Sequence, residues 1–149
     1  MNMYKIAVVG SRRRNTSEDR LQVYAILHAQ HELWGSNLVV VSGGCPKGAD
    51  KFAADWAKAN SVPLVEFPAV ITGNAPYLHA AAYYARNAVV ASFCDRMYAQ
   101  VAADRKGGTE DACRHARVLG KAVYLITDTG DITPAIAPRT EVSLGEFDG

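Results

Sequence analysis

An apolar run that stops in glycines and restarts as a helix constrains the fold of this chain more than any other feature. Residues 38–42 read LVVVS and are followed by GGCPKGAD at residues 43–50. Glycine lets the main chain come close to a ligand, and the first N–H groups of a helix have no partner within it. The segment therefore predicts a strand, a glycine loop and a helix N-terminus that together bind an anion such as a phosphate. The alternative is a turn that serves only chain reversal.

The same arrangement occurs at two other places along the chain. The run YKIAVV at residues 4–9 ends in GSRRR at residues 10–14, and the run at residues 96–101 leads through a short link into RKGGT at residues 105–109. Because the ligand crevice of an open parallel sheet lies beyond the carboxyl ends of its strands, these three endings should meet at one edge. That edge is the predicted site.

Apolar, strand-like runs alternate with segments of helical spacing from residue 4 to residue 126. Such alternation is typical of a parallel sheet covered by helices on both faces. We therefore predict an α/β fold: a single Rossmann-like domain over residues 1–126 with a mostly parallel sheet of about five strands. Pro63 makes its third strand short or peripheral. Residues 127–149 are expected to form an irregular C-terminal tail or an edge element of the same domain.

Composition excludes several classes of protein. The chain has 149 residues, of which 49% are hydrophobic, so it can form one substantial core. Its formal net charge of +1 lacks the excess of basic residues expected of a nucleic-acid-binding protein. No apolar run approaches the roughly 18 residues that span a bilayer, so we expect a cytoplasmic protein without a membrane partner. Scattered cysteines and histidines predict neither a disulfide framework nor a metal site, and no cofactor is expected.

The basic residues near the strand ends are candidate phosphate ligands. Arg12 is preferred among its neighbours because it is closest to the strand and its planar guanidinium donates two parallel hydrogen bonds. Arg86 lies among apolar residues of the alanine-rich segment 77–93, where a charge needs a partner. It is a phosphate ligand, a member of an internal ion pair, or a side chain that reaches water. The candidate ligand-binding residues are Gly10, Ser11, Arg12, Gly43, Gly44, Lys47, Gly48, Asp50, Arg86, Asn87, Gly107, Gly108 and Thr109.

Three of these candidates also have purely structural interpretations. Asp50 favours the dipole of its helix whether or not it touches a ligand. Asn87 is either a ligand or a helix cap. Thr109 is expected to be the N-cap of its helix, with the acidic pair Glu110 and Asp111 in the first turn. Capping is compatible with anion binding, because the N–H groups that the cap does not use stay free.

Five motifs in this order resemble those of the SLOG superfamily, a Rossmann-like group that includes the Lonely Guy enzymes and the DNA-processing protein DprA. The chain is most similar to the stand-alone YspA/YpsA-related subgroup, and the resemblance covers residues 4–126. It implies a pocket for a nucleotide or nucleotide-derived ligand: a nucleoside monophosphate, an ADP-ribose-like molecule or a signalling nucleotide. The matching motifs are Gly10-Ser11-Arg12, the GGxxxGAD pattern of residues 43–50, Trp56-Ala57, Arg86-Asn87 and Gly107-Gly108-Thr109.

The resemblance leaves the activity open. Lonely Guy enzymes cleave nucleoside 5′-monophosphates with an arginine and the glutamate of a PGGxGTxxE motif, whereas here Ala112 stands three residues after Thr109. A phosphoribohydrolase would therefore have Arg86 with Glu110 or Asp111 as its catalytic residues. We expect a binding module first and this hydrolase second, with single-stranded DNA binding disfavoured by the neutral charge. Relatives often form dimers, and the alanine-rich segment around Ala80 to Ala91 either offers a surface for one or packs closely within a single chain.

Overall fold

The computed structural model describes residues 2–135 of the chain, in which strands and helices alternate. A short 3-10 turn, Gly35–Asn37, joins the first helix to the second strand. None of the helices in residues 2–135 is long and apolar enough to cross a membrane. The strands are β1 (Tyr4–Gly10), β2 (Leu38–Ser42), β3 (Leu64–Glu66), β4 (Arg96–Gln100), β5 (Ala122–Ile126) and β6 (Ile132–Pro134); the helices are α1 (Ser17–Trp34), α2 (Ala49–Ala59), α3 (Pro76–Phe93) and α4 (Gly108–Val118).

One sheet contains all six strands, in the order β3-β2-β1-β4-β5-β6. The first five strands of the chain run parallel, and the predicted Rossmann-like α/β fold is confirmed. As Pro63 predicts, β3 is short and lies at one edge of the sheet. The strand order reverses between β1 and β4, and ligands of open α/β sheets bind at such a switch point.

A sixth strand extends the sheet beyond the predicted five. The chain reverses in a turn over residues 127–131, where Gly130 adopts φ +89°, and β6 then pairs antiparallel with β5. Glycine takes such a positive φ without steric cost, so this turn brings a short strand back onto the edge. The remainder of the expected C-terminal tail, residues 136–149, lies outside the described residues.

Two apolar layers cover the faces of the sheet. Ile6 and Val8 face the layer formed with α1 and α2, and Ala7 and Val9 face the layer formed with α3 and α4. This division follows from the period of two in a strand. Trp56 is fully buried in the first layer. The second layer contains small residues from α3 and α4, so those helices pack closely beneath the switch point.

Arg14 fixes the loop that follows β1. Its side chain is 8% exposed, and its guanidinium forms a 3.0 Å ion pair with Asp19. It also donates to the carbonyl oxygens of Val101, Ile126 and Thr127 at 3.1, 2.7 and 2.8 Å. These are the carbonyls at the ends of β4 and β5, so the most buried of the three consecutive arginines is structural.

Candidate functional site

A cleft of about 350 Å³ lies at the carboxyl ends of β1 and β2, opposite the N-terminus of α4. The structure therefore brings the three glycine-bearing strand endings together, and α3 supplies a further wall. Gly44, Lys47 and Gly48 are predicted ligand-binding residues that do not line it. Those that line the cleft are Gly10, Ser11, Arg12, Gly43, Asp50, Arg86, Asn87, Gly107, Gly108 and Thr109.

Side chains of the protein bind the backbone of the first glycine loop, residues 43–48. Three N–H groups of the loop have protein acceptors, so these three are not available to a ligand in this conformation. Lys47 of the same loop is exposed and lies outside the cleft lining. The hydrogen bonds run from Gly44 N–H to Ser42 Oγ at 3.1 Å, from Cys45 N–H to Asp50 Oδ2 at 3.1 Å, and from Gly48 N–H to Asn15 Oδ1 at 2.9 Å.

Close packing explains why this loop needs glycine. Gly48 adopts φ +74° and ψ −154°, a conformation that is essentially restricted to glycine. A Cβ at this position would lie 2.9 Å from the carbonyl oxygen of Ser11. A Cβ at Gly43 would lie 2.6 Å from Nη1 of Arg86 and 2.8 Å from Oδ2 of Asp50. The first glycine loop is therefore a packing element that holds the wall of the cleft.

The second glycine loop, residues 106–109, has the opposite character. The N–H groups of Gly107, Gly108 and Thr109 have no acceptor within residues 2–135. The hydroxyl of Thr109 makes no hydrogen bond with those residues either. A Cβ at Gly107 or Gly108 would meet no atom within 4 Å, so this backbone is open. Free N–H groups at a helix N-terminus form an anion-binding site.

The expectation that Thr109 caps α4 is wrong. The helix begins at Gly108, its N-cap is Gly107, and no side chain caps it. Thr109 therefore lies in the first turn and lines the cleft instead of closing the helix end. An uncapped helix start leaves its donors to water or to a ligand.

Arg86 has protein partners and still leaves one nitrogen for a ligand. Its side chain is 13% exposed. Nε donates to Oδ1 of Asn87 at 3.1 Å, Nη1 donates to the carbonyl oxygen of Gly43, and Nη1 lies 3.8 Å from Oδ2 of Asp50. Nη2 has no acceptor among residues 2–135. Arg86 thus takes part in an internal ion pair and also presents a charged donor to the cleft.

Asn87 connects α3 with the start of α4. Its amide nitrogen lies 3.2 Å from both the carbonyl oxygen of Gly108 and Oδ2 of Asp111, while its oxygen accepts from Arg86. The side chain therefore positions Arg86 and the second glycine loop relative to each other. It lies within α3 and does not cap a helix.

Asp50 is a buried carboxylate in the wall of the cleft. It lies in the first turn of α2. Burial raises the pKa of Asp50 to about 6, although the nearby charge of Arg86 and the hydrogen bond from Cys45 N–H lower it. A carboxyl group with this pKa changes its charge just below neutral pH.

Neither acidic residue that was predicted to be catalytic lines the cleft. Glu110 forms an ion pair with Arg105, at 2.7 Å from Nε. Asp111 is buried against Asn87 and also contacts Arg114 and His115. Successive helical residues point about 100° apart, and α4 presents Ala112 to the cleft instead of either carboxylate.

Several lining residues were not singled out as ligands from the sequence. Tyr83 lies one helical turn before Arg86, and this i, i+3 spacing is a signal that would have placed both on one face of α3. The guanidinium of Arg12 lies 4.9 Å from the ring centre of Tyr83. No comparable pattern in the sequence points to the other additional lining residues. The additional lining residues are Val9, Arg13, Cys45, Tyr83, Lys106 and Ala112.

The charges in the cleft favour an anion. Its lining includes Arg12, Arg13, Arg86 and Lys106, against one carboxylate, Asp50. Arg13 has a second role, because its guanidinium donates to both carboxylate oxygens of Asp104 and to the carbonyl of Lys106. It thereby holds the second glycine loop in place. No cluster of three or more His, Cys, Asp or Glu side chains suited to a metal ion occurs in residues 2–135.

Comparison with known families supports the resemblance seen in the sequence. Residues 4–73 match the model of the YspA, cpYpsA-related SLOG family. The matched segment runs from β1 through β3 and includes Gly10, Ser11, Arg12 and the first glycine loop. No curated protein matches the chain.

Proposed function

We propose that this chain, which belongs to the YspA, cpYpsA-related SLOG family over residues 4–73, binds a nucleotide or nucleotide-derived ligand in the cleft. The observation that carries the proposal is the second glycine loop. Three N–H groups without an acceptor in residues 2–135 open there onto a cleft that is rich in arginine and lysine. A phosphate satisfies both the backbone donors and the positive charge.

The volume of the cleft and the wall beside Tyr83 suit the sugar and base of such a ligand. Its volume of about 350 Å³ lies within the usual range for small-molecule sites. Arg12 and Arg86 stand beside the aromatic ring of Tyr83, so one wall offers both a planar apolar surface and charged donors. The ligand would place its phosphate at the second glycine loop and its sugar between that loop and α2.

A panel of nucleotides tests the proposal. We would measure the melting temperature of the full chain with nucleoside monophosphates, ADP-ribose and signalling nucleotides. A ligand at about 100 times its dissociation constant stabilises the fold by roughly 2.7 kcal/mol, which raises the melting temperature by several degrees. If no member of the panel raises it, the proposal fails.

Arg86 provides a sharper test with a matched control. Arg86→Ala should weaken binding by about 10- to 150-fold, because a hydrogen bond to a charged group contributes about 1.5–3 kcal/mol. Arg105→Ala removes the same charge from a residue that does not line the cleft, so its effect on affinity should be small. Equal affinities of the two variants would make Arg86 a structural ion pair.

Hydrolysis of the N-glycosidic bond is a second candidate, and Asp50 is the observation that favours it. A phosphoribohydrolase needs a carboxylate in the cleft, and a pKa of about 6 suits an acid or base near neutral pH. Release of free base, followed by chromatography, distinguishes the candidates. Base release that is lost in Asp50→Asn and kept in Glu110→Gln supports the hydrolase, whereas stabilisation without release supports a binding module.

We further propose that the chain forms a homodimer through α3. One side of this helix exposes apolar residues, with Tyr77 73% and Tyr84 53% exposed, and small residues separate them. Apolar surface of this kind is typical of protein interfaces. Light scattering should give a dimer for the wild-type chain and a monomer for Tyr84→Glu. A wild-type monomer at micromolar concentration would contradict the proposal.

A further inference from the structure

Asp50 has one carboxylate oxygen engaged and one open. The side chain is 8% exposed and lines the cleft. Oδ2 accepts the N–H of Cys45 at 3.1 Å and lies 3.8 Å from Nη1 of Arg86. Oδ1 accepts no hydrogen bond from residues 2–135. Oδ1 is not a fully buried atom, so water reaches it from the cleft, and the hydroxyl or amine of a bound ligand can replace that water as its donor.

The surrounding charge limits what that donor can be. Nη2 of Arg86 and the second glycine loop are free to bind a phosphate, whereas the charge of Asp50 repels one. The ligand atom at Asp50 must therefore be a hydrogen-bond donor that is attached close to the phosphate. In a nucleotide the ribose is bonded directly to the phosphate and carries two adjacent hydroxyl groups. The donors of the base lie on the far side of the sugar.

We infer that Asp50 is a specificity-determining residue that accepts a hydrogen bond from a ribose hydroxyl, so that the cleft selects ribose phosphates over their deoxy counterparts. This inference rests on the proposed function. Glu110 and Asp111 do not line the cleft, and Asp50 is the carboxylate among the residues that do. A charged acceptor also discriminates more strongly against a missing hydroxyl than a neutral one does.

The ionisation of Asp50 gives the inference a second consequence. Burial raises the pKa of Asp50 to about 6, and the charge of Glu66 on β3 adds to this; Arg86 on α3, Arg12 after β1 and the Cys45 N–H lower it. A protonated carboxyl group is a weaker acceptor, so the preference for ribose should decline below about pH 6. The phosphate titrates alike in ribose and deoxyribose ligands, and its effect therefore cancels in the ratio of their affinities.

Calorimetric titration of the full chain tests the inference with base-free probes: ribose 5-phosphate, its 2-deoxy and 3-deoxy forms, and inorganic phosphate. Near neutral pH, ribose 5-phosphate should bind at least about tenfold more tightly than one of the deoxy forms. Asp50→Asn should reduce that ratio to about threefold or less. Asp55→Asn is the matched control, because it changes the same charge at a half-buried position of α2, where Asp55 pairs with Arg20 and Lys51 outside the cleft, and should keep the ratio.

Each outcome decides between the two proposals. Equal affinity for ribose and both deoxy forms overturns the role of Asp50 and leaves phosphate-ligand binding intact. The role of Asp50 is also overturned if Asp50→Asn keeps the ratio of affinities for ribose and deoxyribose phosphates. It is overturned as well if the variant alters the preference among bases in the nucleotide panel without altering the preference among sugars. If Asp50→Asn does not fold, the pH series on the wild-type protein decides, because a ratio that is constant from about pH 5 to pH 8 overturns the inference. Failure of every sugar phosphate and every nucleotide to bind overturns both.

Discussion

The two glycine loops are similar in sequence, yet their backbone N–H groups do opposite things. Each loop follows a strand, and each leads into a helix whose N-cap is a glycine, Gly48 for α2 and Gly107 for α4. In the first loop, side chains of Ser42, Asp50 and Asn15 accept three of the N–H groups. In the second, three consecutive N–H groups have no acceptor among the residues that the structure describes. A glycine loop before a helix therefore shows only that a backbone can bind an anion.

The first loop contains its own anion. The carboxylate of Asp50 accepts the N–H of Cys45, in the position where the anion of a ligand would bind such a loop. At the second loop Asp104 accepts only the N–H of Lys106, at 3.1 Å, and the N–H groups of residues 107–109 have no acceptor in residues 2–135 because Glu110 and Asp111 point to other partners. Side chains that accept the N–H groups of a loop thus convert a potential binding loop into a supporting wall. Three experiments test this distinction.

Removal of the internal anion, Asp50, should change the stability most. Burial raises the pKa of Asp50 from 3.8 to about 6, so the folded state holds this proton more tightly than the unfolded state does. The stabilisation is complete below about pH 4 and is lost as the pH rises through about 6, by about 3 kcal/mol in total. The amide of Asp50→Asn does not titrate, so the variant does not lose this stabilisation as the pH rises. The free energy of unfolding of the variant minus that of the wild-type protein should therefore increase by that amount from about pH 4 to pH 7, as measured by urea denaturation. Parallel pH curves for the two proteins would show that Asp50 is not a buried anion.

A smaller effect is expected from a methyl group added to each loop. Gly48→Ala forces an unfavourable φ and a contact with the Ser11 carbonyl, and it should lower the free energy of unfolding by about 1–3 kcal/mol. Gly108→Ala enters open space in the first turn of a helix and should change it by less than about 1 kcal/mol, in the stabilising direction. Urea denaturation of the two variants compares them directly. Equal destabilisation would mean that both loops are packing elements.

The smallest effect distinguishes the two lysines. Lys106 lines the cleft and Lys47 does not. Lys106→Ala should weaken the binding of a phosphate ligand by about two- to fivefold, as expected for an exposed charge pair, whereas Lys47→Ala should leave the affinity unchanged. Calorimetry with inorganic phosphate and with the best nucleotide of the panel measures both. A larger loss in Lys47→Ala would return the phosphate to the first loop.

Local sequence patterns, such as apolar runs and helical spacing, were sufficient to predict most of the fold. Residues 38–42 are predicted as a strand and form one, and Pro63 predicts a short third strand that proves to be at the edge. These elements are visible in the sequence because long apolar runs and helical spacing repeat over several residues. The strand β6 has no such signal. It is three residues long and exposed, and it exists because a glycine turn brings it against β5.

Part of the site could be predicted for a similar reason. Strand endings that carry Gly10, Gly43 and Gly107 must meet at one edge once the sheet is parallel, and all three line the cleft. Glu110 and Thr109 illustrate where this reasoning stops. With Thr109 as N-cap the helix would start at Glu110, whereas it starts two residues earlier, at Gly108, and each residue of a helix turns the next side chain by about 100°. An error of one or two residues therefore exchanges the residue that faces the cleft.

Hydrophobic periodicity and the positions of glycine along the chain were enough to predict the alternation of strands and helices, the parallel sheet that such alternation favours, and the three glycine-bearing loops. Which loop is open depends on side chains from distant parts of the chain. The acceptor for Gly48 N–H is Asn15, 33 residues away, and the partner of Gly43 is Arg86, 43 residues away. Whether a backbone donor is free depends on such distant side chains, and no local pattern records them.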